Sequence, residues 1–171
     1  MTIRPATPAD YDALASLKVR AFFVSYRPLL GEDAYQALMR DARAEWFERR
    51  VADGHRILVA HEDDRLLGLA IDGPNTLEAP AERELRNVYV DPDLTSRGVG
   101  RQLAQASLNA MARDGISSVS LGVFPQNVRA IAFYERLGFV RYKVSTWTNN
   151  DVEFADQIML LALDVQARAS S

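Results

Sequence analysis

Apolar positions change their period several times along the chain, and each change marks an element. Near the start, Thr7-Pro8-Ala9-Asp10 has the residues of a helix start, with Thr7 as cap, Pro8 at the first helical position and Asp10 reaching back. Leu14, Leu17 and Ala21 then mark a first helix. Beyond Arg27-Pro28 and Gly31, Tyr35, Leu38, Ala42 and Trp46 repeat at helical spacing, and this second helix stops before Asp53-Gly54. Residues 56–62 and 65–71 are β-rich and flank Asp63-Asp64, which predicts a hairpin whose second strand ends at Asp72-Gly73-Pro74. A polar loop to Glu82 leads to a third strand over 84–90, closed by Asp91-Pro92 because proline has no N–H for a ladder.

From Gly98 the period turns helical. Val99, Leu103, Ala106 and Ala110 form one stripe, and Ala104, Leu108 and Met111 widen it, so this helix is expected to be covered on two sides before Asp114-Gly115 ends it. Val119, Leu121 and Val123 alternate with polar or small residues as a short strand, followed by a helix over 128–137 that stops at Gly138. Strands over 139–146 and 153–163 close the pattern. The order is strand, two helices, three strands, helix, strand, helix, two strands, which predicts an α/β domain whose mixed sheet has helices on both faces. A ligand crevice is expected where neighbouring strands diverge.

Composition narrows the chemistry. The chain has 171 residues, 48% of them apolar, enough for one domain with its own core; we expect a domain over 1–165 and a frayed tail over 166–171. There is no cysteine, which excludes disulfides, thiolate zinc sites and cysteine nucleophiles. The start, Met1-Thr2-Ile3-Arg4-Pro5, shows no apolar export region and no later run approaches membrane-spanning length, so a cytoplasmic protein without a membrane partner is expected. A net charge of −3 gives no global attraction for nucleic acid and mildly favours a cationic acceptor. His55 and His61 lack metal-ligand spacing and read as structural or solvent-facing, so no metal is expected. No G-x-S-x-G elbow supports a serine hydrolase.

One short motif stands out. Arg97-Gly98-Val99-Gly100-Arg101 falls where a helix begins, so unpaired backbone N–H groups and the positive dipole end favour an anion there. The two glycines let a phosphate approach and the two arginines add charge-assisted contacts. An ordinary glycine-containing turn explains the same five residues. A dinucleotide-binding turn does not fit, because Leu103 replaces its third glycine and seven residues separate Val90 from Gly98. A Walker loop does not fit either, since neither glycine precedes Lys-Ser or Lys-Thr.

Taken with its neighbours the motif becomes specific. Asn87-Val88-Tyr89-Val90-Asp91-Pro92, then Arg97-Gly98-Val99-Gly100, then the run from Asn127-Val128-Arg129-Ala130 through Ile131-Ala132-Phe133-Tyr134 to Glu135-Arg136-Leu137-Gly138-Phe139, occur in that order. Together they resemble the GCN5-related N-acetyltransferases, most specifically between Glu84 and Phe139. The resemblance implies a mostly antiparallel mixed sheet, acetyl-CoA as co-substrate, and direct attack of a small-molecule amine on the thioester without a covalent enzyme intermediate. The family's pyrophosphate loop, Q/R-x-x-G-x-G/A, lands on Thr95 through Gly100, with Thr95 where Gln or Arg is usual. The implied cofactor contacts are Val88, Tyr89 and Val90 on the strand, Ser96, Arg97, Gly98, Val99, Gly100 and Arg101 in the loop, and Asn127 and Tyr134 beyond it. In this family the strand's main chain pairs with the pantetheine arm, which lets a bland apolar strand serve a ligand. The C-terminal strands also imply a route to a homodimer.

Several of these residues carry two readings. Asn127 lies beside the cofactor in the family and is equally placed to cap a helix. Tyr134 shares a core stripe with Ile131 and Leu137, whereas the family's matching hydroxyl protonates the leaving thiolate; Phe133 reads as core. An alkylamine of pKa about 10 costs roughly 4 kcal/mol to deprotonate at neutral pH. Glu84 stands where part of the family keeps a glutamate base, and strand alternation puts it on a face with Arg86, Val88 and Val90 if no bulge intervenes. It reads equally as an ion-pair partner of Arg83 or Arg86, with Glu82 as the nearest substitute base. A non-catalytic acyl-CoA-binding module and a peptide N-acetyltransferase are the competing functions. Tyr26, Arg27, Glu32, Trp46, Trp147 and Asp156 are the candidates for shaping an acceptor pocket. From Leu121-Gly122-Val123 through Ala130-Ile131-Ala132-Phe133-Tyr134 to Asp156-Gln157-Ile158-Met159 the chain resembles the bacterial spermidine/spermine branch, for which Glu32, Glu153 or Asp156 would supply carboxylates and Trp46 or Trp147 a cation–π face.

Overall fold

The computed structural model describes residues 1–39, 43–94 and 97–164. Strand β1 (Thr2–Pro5) leads through a 3₁₀ turn (Pro8–Asp10) into helices α1 (Tyr11–Leu30), α2 (Glu32–Met39) and α3 (Ala44–Ala52). Strands β2 (Arg56–Glu62), β3 (Arg65–Pro74) and β4 (Arg83–Val90) follow, then α4 (Val99–Arg113), β5 (Ser118–Val123), α5 (Val128–Arg136), β6 (Val140–Asn149) and β7 (Val152–Ala162). Seven strands form one sheet in the order β1-β2-β3-β4-β5-β7-β6. Only β4 and β5 pair in parallel; the other neighbours are antiparallel. No helix among the described residues is long and apolar enough to cross a membrane.

Side-chain alternation explains the layers. Ile57 and Val59 of β2, with Leu69 and Ile71 of β3, pack under α1 to α3 together with Leu14, Leu17, Phe22 and Phe47. Leu58 and Ala60, one residue out of phase, face the opposite side and meet Val99 and Leu103 of α4. A third cluster joins α4, α5 and the C-terminal strands through Leu108, Met111, Leu121, Ile131 and Met159. Helices therefore cover both faces. Gly68 makes the α4 face tight: an added Cβ would fall 2.6 Å from the Tyr89 carbonyl oxygen and 2.9 Å from Leu103.

Two expectations change. The first helix runs through Pro28 to Leu30, although Pro28 has no N–H for the Val24 carbonyl; Gly31, at φ 75°, stops it. The second helical pattern is two helices, since Arg43 is extended at φ −129° and starts α3 afresh; Ala42 lies outside the described residues. Thr95 and Ser96 of the loop, and the tail over 166–171, also lie outside them.

A buried carboxylate fixes the end of the sheet nearest the site. Asp72, fully buried, accepts from Arg56 (3.0 Å), Arg83 (2.9 Å) and the Ser107 hydroxyl (2.6 Å), so β2, β3, β4 and α4 converge on one side chain. Removing it takes the buried partner from both guanidinium groups, leaving Arg56 with Asp114 and Arg83 with the Gly54 carbonyl. Asp72→Ala is therefore expected to cost about 3 kcal/mol in urea unfolding; a cost under about 0.5 kcal/mol would show that solvent satisfies both arginines.

Candidate functional site

The site is built where β4 leaves β5. These parallel strands pair only at Arg83↔Val119 and Glu84↔Ser120, and beyond that point they separate. The crevice expected from the element order lies there. Register against β3 also shifts: Ile71 pairs with Asn87 but Asp72 with Leu85, so Arg86 is an extra, bulged residue of β4. The bulge overturns the expected face for Glu84. Val88 and Val90 pack toward α4, whereas Glu84 lines a cavity with Arg86, Asn87 and Tyr89 on the other side of the sheet.

That cavity measures about 500 Å³. Its walls are Tyr26 of α1, the 76–78 loop, Glu84 to Tyr89 of β4, Gly122 to Phe124 after the split, Tyr134 of α5, and Trp147 and Asp156 of the last two strands. An aromatic wall runs from Tyr26 to Phe124 (5.4 Å, edge-on), on to Phe154 (6.1 Å) and to Trp147 stacked upon it (4.7 Å). Burial pushes the Tyr26 hydroxyl up to about 12, with the charge of Asp156 adding and a hydrogen bond from Asn127 opposing. Tyr134 is half-buried between Phe133 and Phe139, and burial followed by Tyr26 raises its hydroxyl too.

The carboxylates differ sharply in their surroundings. Glu84 is 5% exposed and its Oε2 accepts from the Thr76 N–H (3.0 Å), the Thr76 hydroxyl (2.8 Å) and Arg86 (3.3 Å). Arg86 Nη1 also donates to the Thr76 oxygen at 2.9 Å, closing a small ring. Asp156 forms no ion pair among the described residues, and burial, with the Glu84 charge adding, pushes it up to about 6; a Trp147 hydrogen bond and Arg86 oppose. Glu82 stands away from the cavity, accepting from the Ser117 N–H at 2.6 Å, which removes it as the substitute base.

Other expected pocket residues are elsewhere. Trp46 packs among the α1–α3 core, with Lys18 Nζ 3.7 Å above its ring. Glu32 is exposed and held by Arg27 and Gln36, and Glu153 is exposed on β7. His55, in place of a solvent-facing turn residue, is buried against Gly73 with Nδ1 3.0 Å from the Arg50 carbonyl, and burial lowers its pKa. Arg86 entered the sequence reading as an ion-pair partner of Glu84, which it is at 3.3 Å, but not as a cavity residue, and Thr76 was not singled out. Among the described residues no three His, Asp or Glu side chains cluster to hold a metal ion.

The helix-start motif lies on the α4 side of the same split. Gly98, at φ 77°, caps α4 in a left-handed conformation, and its carbonyl accepts from Gln102 at 3.0 Å. A Cβ on Gly100 would sit 3.3 Å from Val90 and 3.8 Å from Val88, so the helix start lies directly against the free part of β4. Arg97 and Arg101 are exposed; Arg97 borders a second cavity of about 760 Å³ with Leu94, Val99 and Gln102. Asn127 caps α5, its Oδ1 accepting from Ala130 at 3.1 Å, while its side chain also reaches Tyr26.

A mixed sheet split between two parallel strands, with a glycine-started helix against one of them, defines an acyltransferase-like α/β fold. The family model described as Acetyltransferase (GNAT) family matches residues 16–139, and the chain belongs to that family. It is 34% identical over 138 residues to a mycothiol acetyltransferase of Kocuria rhizophila, covering 79% of this chain and 44% of that protein. It is 30% identical over 141 residues to the L-amino acid N-acyltransferase MnaT of Escherichia coli K12, covering 82% and 80%. The chain thus spans less than half the length of the mycothiol acetyltransferases it matches. Among solved structures, a GCN5-related N-acetyltransferase from Rhodopseudomonas palustris superposes with a TM-score of 0.79 at 23% identity, over 95% of each chain.

The double duty of Asn127 is testable. Asn127→Ala is expected to cost about 1 kcal/mol in chemical unfolding through loss of the cap, and Asn127→Ser to recover most of it. Equal stability of the alanine variant and the parent would show that the cap contributes nothing.

Proposed function

We infer that the protein transfers the acetyl group of acetyl-CoA to the amine of a small acceptor. The observation that carries this reading is the split itself: it brings a glycine-started helix N-terminus and a carboxylate-lined cavity to the two sides of one strand. The residues fit the cofactor. Gly98 and Gly100 leave the first turn of α4 bare against Val88 and Val90, and adding a Cβ at Gly100 would press on Val90. The N–H groups of that turn, with Arg97 and Arg101, would hold the pyrophosphate, and the unpaired main chain of β4 beyond Glu84 would hold the pantetheine arm.

When bound, acetyl-CoA supplies the acetyl thioester. Tyr134 lines the cavity from α5, and its hydroxyl, kept protonated by burial, suits donation to the departing sulfur. Proton removal from the acceptor falls to the cavity carboxylates, Glu84 and Asp156. Tyr26, Phe124, Phe154 and Trp147 keep water from the reacting amine, which strengthens every electrostatic contact inside.

For the acceptor, an amino acid has better support than a polyamine. Glu32, Glu153 and Trp46 do not line the cavity, and Glu84 is neutralised by Arg86, so the acidic cage expected for a polycation is reduced. Arg86 spends Nη1 on Thr76 and Glu84, leaving the rest of its fork for an acceptor carboxylate. Similarity to an L-amino acid N-acyltransferase agrees.

Thiol release from acetyl-CoA, screened over L-amino acids, amino sugars, spermidine and short peptides, tests the reading. Release that depends on the acceptor is expected; tight acetyl-CoA binding without release from any of them would favour a binding module. An L-amino acid is expected to exceed the amine lacking its carboxylate by about 10- to 100-fold in kcat/KM, the value of one charge-assisted bond, and Arg86→Ala to erase the difference. Equal constants in the parent protein would remove Arg86 from acceptor recognition. Gly100→Glu is expected to abolish acetyl-CoA binding in calorimetry while the protein stays folded, and unchanged affinity would remove the α4 turn from the cofactor site. Tyr134→Phe should lower kcat about 100-fold with little change in KM; unaltered kcat would return Tyr134 to the core.

A further inference from the structure

The cavity holds two carboxylates, and their hydrogen bonds separate their roles. Glu84 is engaged: its Oε2 takes both Thr76 donors and Arg86 at 3.3 Å, and its Oε1 meets Arg86 at 3.4 Å, tying β4 to the 76–78 loop. A proton taken there would weaken the pairing with Arg86 that holds this arrangement. Asp156 stands on β7 opposite Ser145 of β6, and its carboxylate reaches over Gly122 of β5. A Cβ on Gly122 would meet Asp156 Oδ2 at 3.0 Å, so a side chain there would press that oxygen aside. The charged and titratable groups around it are Glu84 and Arg86 from β4, Tyr26 from α1, Tyr134 from α5, and Glu78, which is itself paired with Lys143 of β6 at 3.1 Å.

We propose that Asp156 is the catalytic base that receives the acceptor's ammonium proton, and that Glu84 is a positioning residue that holds Arg86 and Thr76. The proposal rests on the acetyl-transfer reading above. The ammonium gives one proton to Asp156, which passes it to solvent, and the freed nitrogen pair forms the N–C bond. The C–S bond breaks with its electron pair on sulfur, and the second nitrogen proton replaces the one that sulfur takes from Tyr134. The net reaction releases one proton. The aromatic wall and the neighbouring Glu84 hold Asp156 near pH 6, so it is ionised at neutral pH yet more basic than an exposed aspartate.

The test is the pH dependence of kcat/KM for the parent, Asp156→Asn and Glu84→Gln, using the best L-amino acid from the thiol-release screen, with acetyl-CoA affinity measured by calorimetry. The parent is expected to gain activity as pH rises through about 6. Asp156→Asn should lose about 100- to 10,000-fold at pH 7, lose that limb, and climb instead toward the amine's own pKa, with acetyl-CoA affinity retained. Glu84→Gln removes a neighbouring negative charge, so its limb should move to lower pH, whatever its rate. An Asp156→Asn profile with the parental limb, or activity that falls only in step with acetyl-CoA affinity, would overturn the assignment while leaving acetyl transfer intact. No thiol release from the parent with any acceptor would instead overturn acetyl transfer and this role together.

Discussion

The site depends on β4 and β5 being parallel neighbours that touch at two positions only, Arg83↔Val119 and Glu84↔Ser120. Each strand is fixed by its other neighbour, β4 along β3 and the whole of β5 along the end of β7, so the pair opens as the sheet twists. Main-chain groups inside a protein must find partners, and a sheet parted in its middle leaves a row of them without any. On the proposed reading, an extended ligand would satisfy that row. The tight junction of Gly68, Leu103 and the Tyr89 carbonyl holds α4 against the same strand, so the helix start and the split keep their relation.

The bulge at Arg86 decides what faces the split. Without it, Glu84 would share a face with Val88 and Val90 and point toward α4. With it, Glu84, Arg86, Asn87 and Tyr89 turn together to the α1 side, where Tyr26, Phe124 and Trp147 enclose them. On the proposed reading, one extra residue gives the α4 face of β4 to an anionic cofactor and the α1 face to an acceptor. On that side burial, with the charge of Glu84 adding, raises the pKa of Asp156 toward neutrality.

Much of the fold was legible in the sequence because its period is clean: the hairpin around Asp63-Asp64, the strand closed by Asp91-Pro92, α4 from Gly98 and α5 stopped at Gly138, now seen at φ 97°, all follow from local chemistry. The split followed from element order. What escaped was non-local. Arg86-Asn87, two polar residues between Leu85 and Val88, break the alternation from Glu84 to Val90, but only the pairing with β3 shows that Arg86 is the extra residue. The spacing of Tyr35, Leu38 and Trp46 is the same for one helix as for two. Trp46 and Trp147 look alike as aromatic neighbours of charge, yet one stacks in the α1–α3 core and the other on Phe154 in the cavity. Glu84 and Asp156 are both carboxylates in strands, and only tertiary contacts show that Thr76 and Arg86 occupy the first.

Amide hydrogen exchange with and without acetyl-CoA tests the central claim most directly. If the cofactor fills the split, protection should rise in β4 beyond Glu84 and in the first turn of α4, and change little in the β2–β3 hairpin. Bound acetyl-CoA that protects neither β4 nor the start of α4 would contradict the account.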